Sequence, residues 1–190
     1  KIARFGFGGG NTSRGGFGNT PLYAEVEHVA ARFFRTEDAA YLASGYLSNI
    51  GAIQILRNRR RFDVIFQDAI AHYSIVDFVH ATETPVYEFA HRDPEDLARQ
   101  LKTRLKPGQT PLVVTDGIFP VPGEIAPVPD YVKALEPYHG LLWLDDAHAV
   151  GVIGSNGRRG TPATASRNVP SIPASVPWRA AASIRGDRSW

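Results

Sequence analysis

The sequence contains no cysteine and no methionine in 190 residues. Without cysteine there is no disulfide scaffold, no thiolate metal centre and no cysteine nucleophile. Methionine is missing even at position 1, and no signal-peptide pattern explains the Lys1 start, so the expectation is a chain that begins inside a longer reading frame. No apolar run approaches the ~20 residues that span a bilayer, which excludes a membrane-spanning helix. Lys and Arg number 21 against 19 Asp and Glu, and the resulting +2 is too small to argue for a nucleic-acid partner. What is present is a hydrophobic fraction of 43% and a charged fraction of 21%, with Leu, Val, Ile and Phe along most of the length. That is enough to bury a core and rules out wholesale disorder, and the length allows one domain and little more.

The two ends differ from the middle. Residues 1–20, and Gly6 to Thr20 above all, are rich in Gly, Asn, Ser and Thr. Such a segment serves where unusual backbone angles or close backbone approach are needed. Residues 161–190 carry Arg167, Arg179, Arg185 and Arg188 against Asp187 alone, with four prolines, six alanines and five serines. They show neither helical nor strand periodicity, so the expectation is a disordered or non-homologous tail, with the domain occupying 21–160.

Between these ends short apolar runs alternate with helical patterns. Thr20 suits an N-cap and Pro21 the first helical position, with Leu22, Val26, Val29, Ala30 and Phe33 on one face. Strands are expected at Ala39–Ala43, Phe62–Phe66, Val86–Phe89, Leu112–Thr115 and Leu141–Leu144. Helices are expected through Leu47–Leu56, His72–Ala81, Asp93–Leu105 and Pro129–Tyr138. The alternation implies an α/β fold, a mostly parallel sheet with helices on both faces. In such sheets ligands bind beyond the carboxyl ends of the strands, so the polar residues there carry the functional information.

Four such places stand out. Ser44-Gly45-Tyr46 lies between a strand and a helix, where backbone N–H groups can face an anion, although an ordinary tight turn has the same composition. His72 opens a helix after a strand. Thr115-Asp116-Gly117 closes one strand, and Asp145-Asp146-Ala147-His148 follows another. A carboxylate at the end of a buried strand is costly unless it is paired, whether with a metal or with a cationic ring nitrogen. The sequence has no P-loop, no dinucleotide fingerprint, no G-x-S-x-G elbow and no H-E-x-x-H.

Taken together, GGNTSRGGFGNTPLYAEVE (9–27), YLASGYLSNIGAI (41–53), IFQDAIAHYSIVD (65–77), VVTDGIFPVPGEIAPVPDYV (113–132) and LLWLDDAHAVGVIGSNGRRGT (141–161) resemble the α-oxoamine synthases. These are pyridoxal-phosphate acyltransferases of fold type I, and the runs keep the family's order and spacing. The resemblance implies part of a fold type I large domain. It also implies pyridoxal 5'-phosphate as cofactor, amino acid and acyl-CoA as substrates, and a cytoplasmic homodimer with no nucleic acid or membrane partner. It assigns Gly45 and Tyr46 to the cofactor phosphate through their backbone amides, with Asn49 supporting that loop. His72 is assigned to stacking on the pyridine ring, Asp145 to the protonated ring nitrogen, and His148 to the phenolic oxygen.

Three departures accompany the resemblance. Pro120 stands where the family has serine, and Tyr23 where a histidine is common. The family's Schiff-base lysine lies downstream of the position matched by Asp145, but the only lysines here are Lys1, Lys102, Lys106 and Lys133. The expectation is therefore a truncated and catalytically incomplete member of the family. Two other readings compete. One is a metal-dependent hydrolase using Asp68, His72, Asp145, Asp146 and His148. The other is a non-catalytic fragment that pairs with a full-length homologue.

Overall fold

The structure is a computed structural model that describes residues 18–34, 36–42, 44–58, 61–154, 171–174 and 181–182. Most of the glycine-rich segment and most of 161–190 lie outside the described residues.

The chain opens with helix α1 (Pro21–Phe34), a short strand β1 (Ala40–Tyr41) and helix α2 (Gly45–Asn58). Strand and helix then alternate: β2 (Val64–Asp68), α3 (Tyr73–His80), β3 (Val86–Phe89), α4 (Pro94–Arg104), β4 (Pro111–Asp116), α5 (Val128–Leu135) and β5 (Leu141–Asp145). Two further strands, β6 (Ser171–Ala174) and β7 (Ala181–Ala182), complete the described elements. The main sheet has five strands in the order β3-β2-β4-β5-β6, each parallel to its neighbours. A separate antiparallel pair joins β1 to β7. The α/β reading with a mostly parallel sheet matches this architecture. Of the segment 161–190, expected to be a disordered or non-homologous tail, residues 171–174 and 181–182 form β6 and β7.

Alternation along the strands fixes the core. Successive side chains of a strand point to opposite faces, and here both faces are covered. Val64, Phe66, Val113, Leu142 and Leu144 pack with Leu97 and Leu101 of α4 and Tyr131 and Leu135 of α5. Ile65, Leu112, Val114, Leu141 and Trp143 pack with Ile53 of α2 and with Ile75, Phe78 and Val79 of α3. Burial on both sides explains why these strands read as continuous apolar runs.

Local signals place the helices. Asp93 caps α4 by accepting from the N–H groups of Glu95 and Asp96, and Pro94 occupies its first turn. Gly140, before β5, sits so close to α5 that a Cβ would lie 2.5 Å from Leu135 Cδ2 and 2.9 Å from Pro111 Cγ. Only glycine permits that approach.

Helix α1 departs from the expectation. Of its apolar stripe, Val26, Val29 and Phe33 are exposed, and Ala31 is its one buried residue. The helix is held instead at β1, where the Tyr23 and Tyr41 rings stack 5.4 Å apart and Glu27 Oε1 accepts the Tyr41 N–H at 2.7 Å. Tyr23, at a position where histidine is common in the resembling family, is thus used in a ring stack.

Candidate functional site

Three carboxylates end the central strands: Asp68 on β2, Asp116 on β4 and Asp145 on β5. All three are buried. Strand alternation divides them. Asp116 and Asp145 continue the series Leu112, Val114 and Leu141, Trp143, so they share the face covered by α2 and α3. Asp68 continues Val64 and Phe66 towards α4 and α5. Asp116 and Asp145 are also register partners on adjacent strands.

Asp145 is held by neutral donors. Its Oδ1 accepts the Ala147 N–H at 3.0 Å and its Oδ2 accepts from Asn49 Nδ2 at 3.1 Å. Among the described residues it has no ion-pair partner. Asn49, buried on α2, also donates to Ser74 Oγ at 3.0 Å, and Ser74 Oγ lies 2.8 Å from His72 Nδ1. His72 caps the N-terminus of α3, where its Nδ1 accepts the Ser74 N–H at 3.3 Å. The His72 backbone N–H donates to Asp116 Oδ2 at 2.8 Å. Burial, and then the nearby charges of Asp145 and Asp68, push the Asp116 carboxyl up to about 7, against the lowering effect of the His72 N–H.

The other candidates sit around this group. Gly45 begins α2, and the first turn of that helix contains no acidic side chain, so its N–H groups face no carboxylate of their own turn. Tyr46 is exposed. Its ring meets Phe78 edge-on at 4.6 Å and its hydroxyl donates to Asp77 Oδ2 at 2.8 Å, a bond that raises the hydroxyl's pKa. His148 is exposed in the turn after β5. The structure places Asn49 against Asp145 and Ser74, whereas the resemblance had assigned it to the phosphate loop.

Asp68 belongs to a second cluster. Its Oδ1 is 2.8 Å from His91 Nδ1 and accepts the Ile70 N–H at 3.0 Å, while its Oδ2 accepts the Arg92 N–H at 3.0 Å. His91 Nε2 and Arg92 Nη1 both reach Glu124, at 3.0 and 2.7 Å. The bond from His91 is the main cause of a lowered Glu124 pKa. This network ties the ends of β2 and β3 to the hairpin after β4. It also accounts for Asp68 without a metal, and the described residues contain no group of three or more His, Asp or Glu able to hold one. The metal-hydrolase alternative therefore loses its ligand set, because Asp68 and Asp145 stand on opposite faces of the sheet. Ser74 and His91 were not singled out from the sequence, although both lie just beyond strand ends, where polar residues deserve notice in a parallel sheet.

Comparison with known proteins bears on this geometry. A family model described as aminotransferase class I and II matches residues 9–173. The chain belongs to this family. It is 37% identical over 157 residues to an 8-amino-7-oxononanoate synthase from Thermoanaerobacter pseudethanolicus, which covers 83% of this chain and 39% of the relative. Its fold matches a serine palmitoyltransferase from S. paucimobilis, solved with a bound PLP–myriocin aldimine, with a TM-score of 0.78 at 28% identity, covering 90% of this chain and 43% of the other. A serine palmitoyltransferase from Sphingomonas wittichii gives a TM-score of 0.77 at 29% identity over the same shares, 90% and 43%. The chain is thus an α-oxoamine synthase relative, of a branch whose cofactor is pyridoxal phosphate, and it spans about two fifths of the length of the relatives it matches. Among the described residues no helix is long and apolar enough to cross a membrane.

Proposed function

We propose that this polypeptide forms the ring-binding wall of a pyridoxal-phosphate-dependent acyltransferase that condenses an amino acid with an acyl-CoA. The observation that carries the proposal is the Asp145 carboxylate. It is buried, it is held by two neutral N–H groups, and no cation faces it among the described residues. A buried carboxylate is stable when a cation completes it, and the protonated nitrogen of a pyridine ring is such a cation. The residues present fit that group.

Asp145 would keep the ring nitrogen protonated, and His72, tied to it through Ser74 and Asn49, would support the ring face. The N–H groups of Gly45 and Tyr46 at the start of α2 suit a phosphate, and His148 suits the phenolic oxygen. When bound, the cofactor supplies an electron sink for the carbanion of the amino acid. No lysine follows Asp145 in this sequence, so the chain by itself binds without covalent attachment and does not turn over.

Fluorescence titration with pyridoxamine phosphate, which needs no lysine, tests the binding half. Wild type should saturate. Asp145→Ala should bind about tenfold or more weakly, the loss of one charge-assisted contact. Borohydride treatment with pyridoxal phosphate should leave no stoichiometric lysine adduct, and acyl-CoA should release no CoA. Equal affinity of Asp145→Ala and wild type would overturn the ring-nitrogen role, and a single trapped lysine with turnover would overturn the claim of incompleteness.

A further inference from the structure

We propose that Asn49 and Ser74 are positioning residues that join Asp145 to the His72 ring through one directed hydrogen-bond chain, fixing His72 with its proton on Nε2. The functional consequence rests on the cofactor reading above; the chain itself rests only on donor chemistry.

The direction follows from what each group can do. A backbone amide only donates, so the Ser74 N–H pointing at His72 Nδ1 requires a lone pair on that nitrogen. The proton of the neutral ring must then sit on Nε2. The Ser74 hydroxyl, 2.8 Å from the same Nδ1, donates to it as well and is free to accept at its oxygen. Asn49 Nδ2 provides both remaining donors, one hydrogen to Ser74 Oγ at 3.0 Å and the other to Asp145 Oδ2 at 3.1 Å.

Flipping the Asn49 amide would set its oxygen against a carboxylate oxygen and against a hydroxyl already committed to His72. The flip is excluded by repulsion. Its Oδ1 is consequently left buried with no partner. A residue selected for packing alone would not carry an unsatisfied buried oxygen, because an apolar residue of similar volume avoids it. What Asn49 supplies there, and an apolar residue could not, is its two donors.

The chain holds both polar groups that would contact a planar cationic heterocycle. The Asp145 carboxylate is fixed at one oxygen by Asn49 and at the other by the Ala147 N–H. The His72 ring is fixed at Nδ1, and its backbone is fixed by Asp116. Neither side chain needs to reorganise when a ligand arrives, which is how remote donors raise affinity.

The test uses the full chain and two readouts. Long-range proton–nitrogen correlation spectra without ligand report the His72 tautomer, and pyridoxamine phosphate titration reports the consequence. Wild type should show an unprotonated Nδ1. Ser74→Ala keeps the backbone N–H and therefore the Nε2–H tautomer. It removes the hydroxyl donor, so it should shift the Nδ1 resonance and weaken pyridoxamine phosphate about tenfold, while Ser74→Thr, which keeps the hydroxyl, should restore both. Asn49→Asp, which lacks the donors and adds a like charge beside Asp145, should weaken binding more than Ser74→Ala.

A protonated Nδ1 in wild type, or an Nδ1 resonance indifferent to Ser74→Ala in a protein whose urea midpoint is unchanged, overturns the chain. Wild-type protein that shows the expected tautomer and the Ser74 dependence of its Nδ1 resonance but binds no pyridoxamine phosphate supports the chain and overturns the cofactor reading, so the two failures are separable.

Discussion

Between Val64 and Asp145 the apolar side chains of β2, β4 and β5 are all buried, whereas α1 and α2 leave Val29 at 59%, Leu47 at 51% and Ile55 at 48% exposure. The sheet finds its cover within the same chain, α2 and α3 on one face and α4 and α5 on the other. Helix α1 has an apolar stripe too, but among the described residues its Val26, Val29 and Phe33 stay exposed. Among the described residues, one part of the molecule is therefore self-sufficient in burial, and the other leaves large apolar side chains exposed. The site lies at the junction. Asp145, Asp116 and His72 come from the self-sufficient sheet and the start of α3, while Asn49 comes from α2, whose outer residues remain exposed.

The contrast breaks most visibly at Trp143. It is fully buried on the α2/α3 face. Trp143→Ala should cost about 3–5 kcal/mol, much of the stability of a small domain. Urea unfolding of the full chain measures this, and a loss below about 1 kcal/mol would show that the sheet is not the packed half. Trp143→Phe should cost less, because the Trp143 Nε1–H is buried without a partner and removing it relieves an unpaired donor.

A pH-dependent effect of intermediate size belongs to Asp116. Its carboxyl is raised from 3.8 to about 7, first by burial. Between those values the unfolded chain has lost the proton that the folded chain retains. The stability from this group is thus fully present below about pH 4 and is lost as pH rises to about 7. Asp116→Asn cannot ionise and still offers an oxygen to the His72 N–H. Relative to wild type it should gain on the order of 2–4 kcal/mol between pH 4 and pH 8. Urea midpoints measured across that range decide it, and a difference that does not vary with pH would show Asp116 to be an ordinary carboxylate.

These residues also mark how far the sequence could be read. Apolar runs such as LVV and LLWL announced strands buried on both faces, and Asp93-Pro94 announced a capped helix, since those signals are local. The β2 boundaries are displaced from 62–66 to 64–68 because Gln67 and Asp68 are polar yet buried inside the strand, and an apolar pattern is blind to polar burial. Asp145 and His72 stood out by their place after strands. Their link did not, because Asn49 and Asp145 are 96 residues apart and the bond depends on how α2 lies over β5. The Asp68–His91–Glu124 network is legible only once β2, β3 and the hairpin after β4 are set side by side. For α1 the periodicity puts Leu22, Val26, Val29, Ala30 and Phe33 on one face, but periodicity does not say whose surface the stripe meets.

The smallest stability effect is expected where the association effect is largest. Val29 is 59% and Phe33 36% exposed on α1, on a stripe that also includes Val26 at 38%. Replacing Val29 and Phe33 together with Glu removes few contacts made within the chain, so the change in unfolding free energy should stay within about 0.5 kcal/mol. The same pair should strongly reduce self-association, because two charges cannot be desolvated against an apolar partner surface. Sedimentation velocity of wild type at tens of micromolar should show species larger than the 20.8 kDa chain, and the double variant should sediment as a monomer. A wild type already monomeric, or a variant that loses several kcal/mol, would mean that α1 finds its cover inside the chain. The division between a self-sufficient sheet and an outward-facing helix would then have to be abandoned.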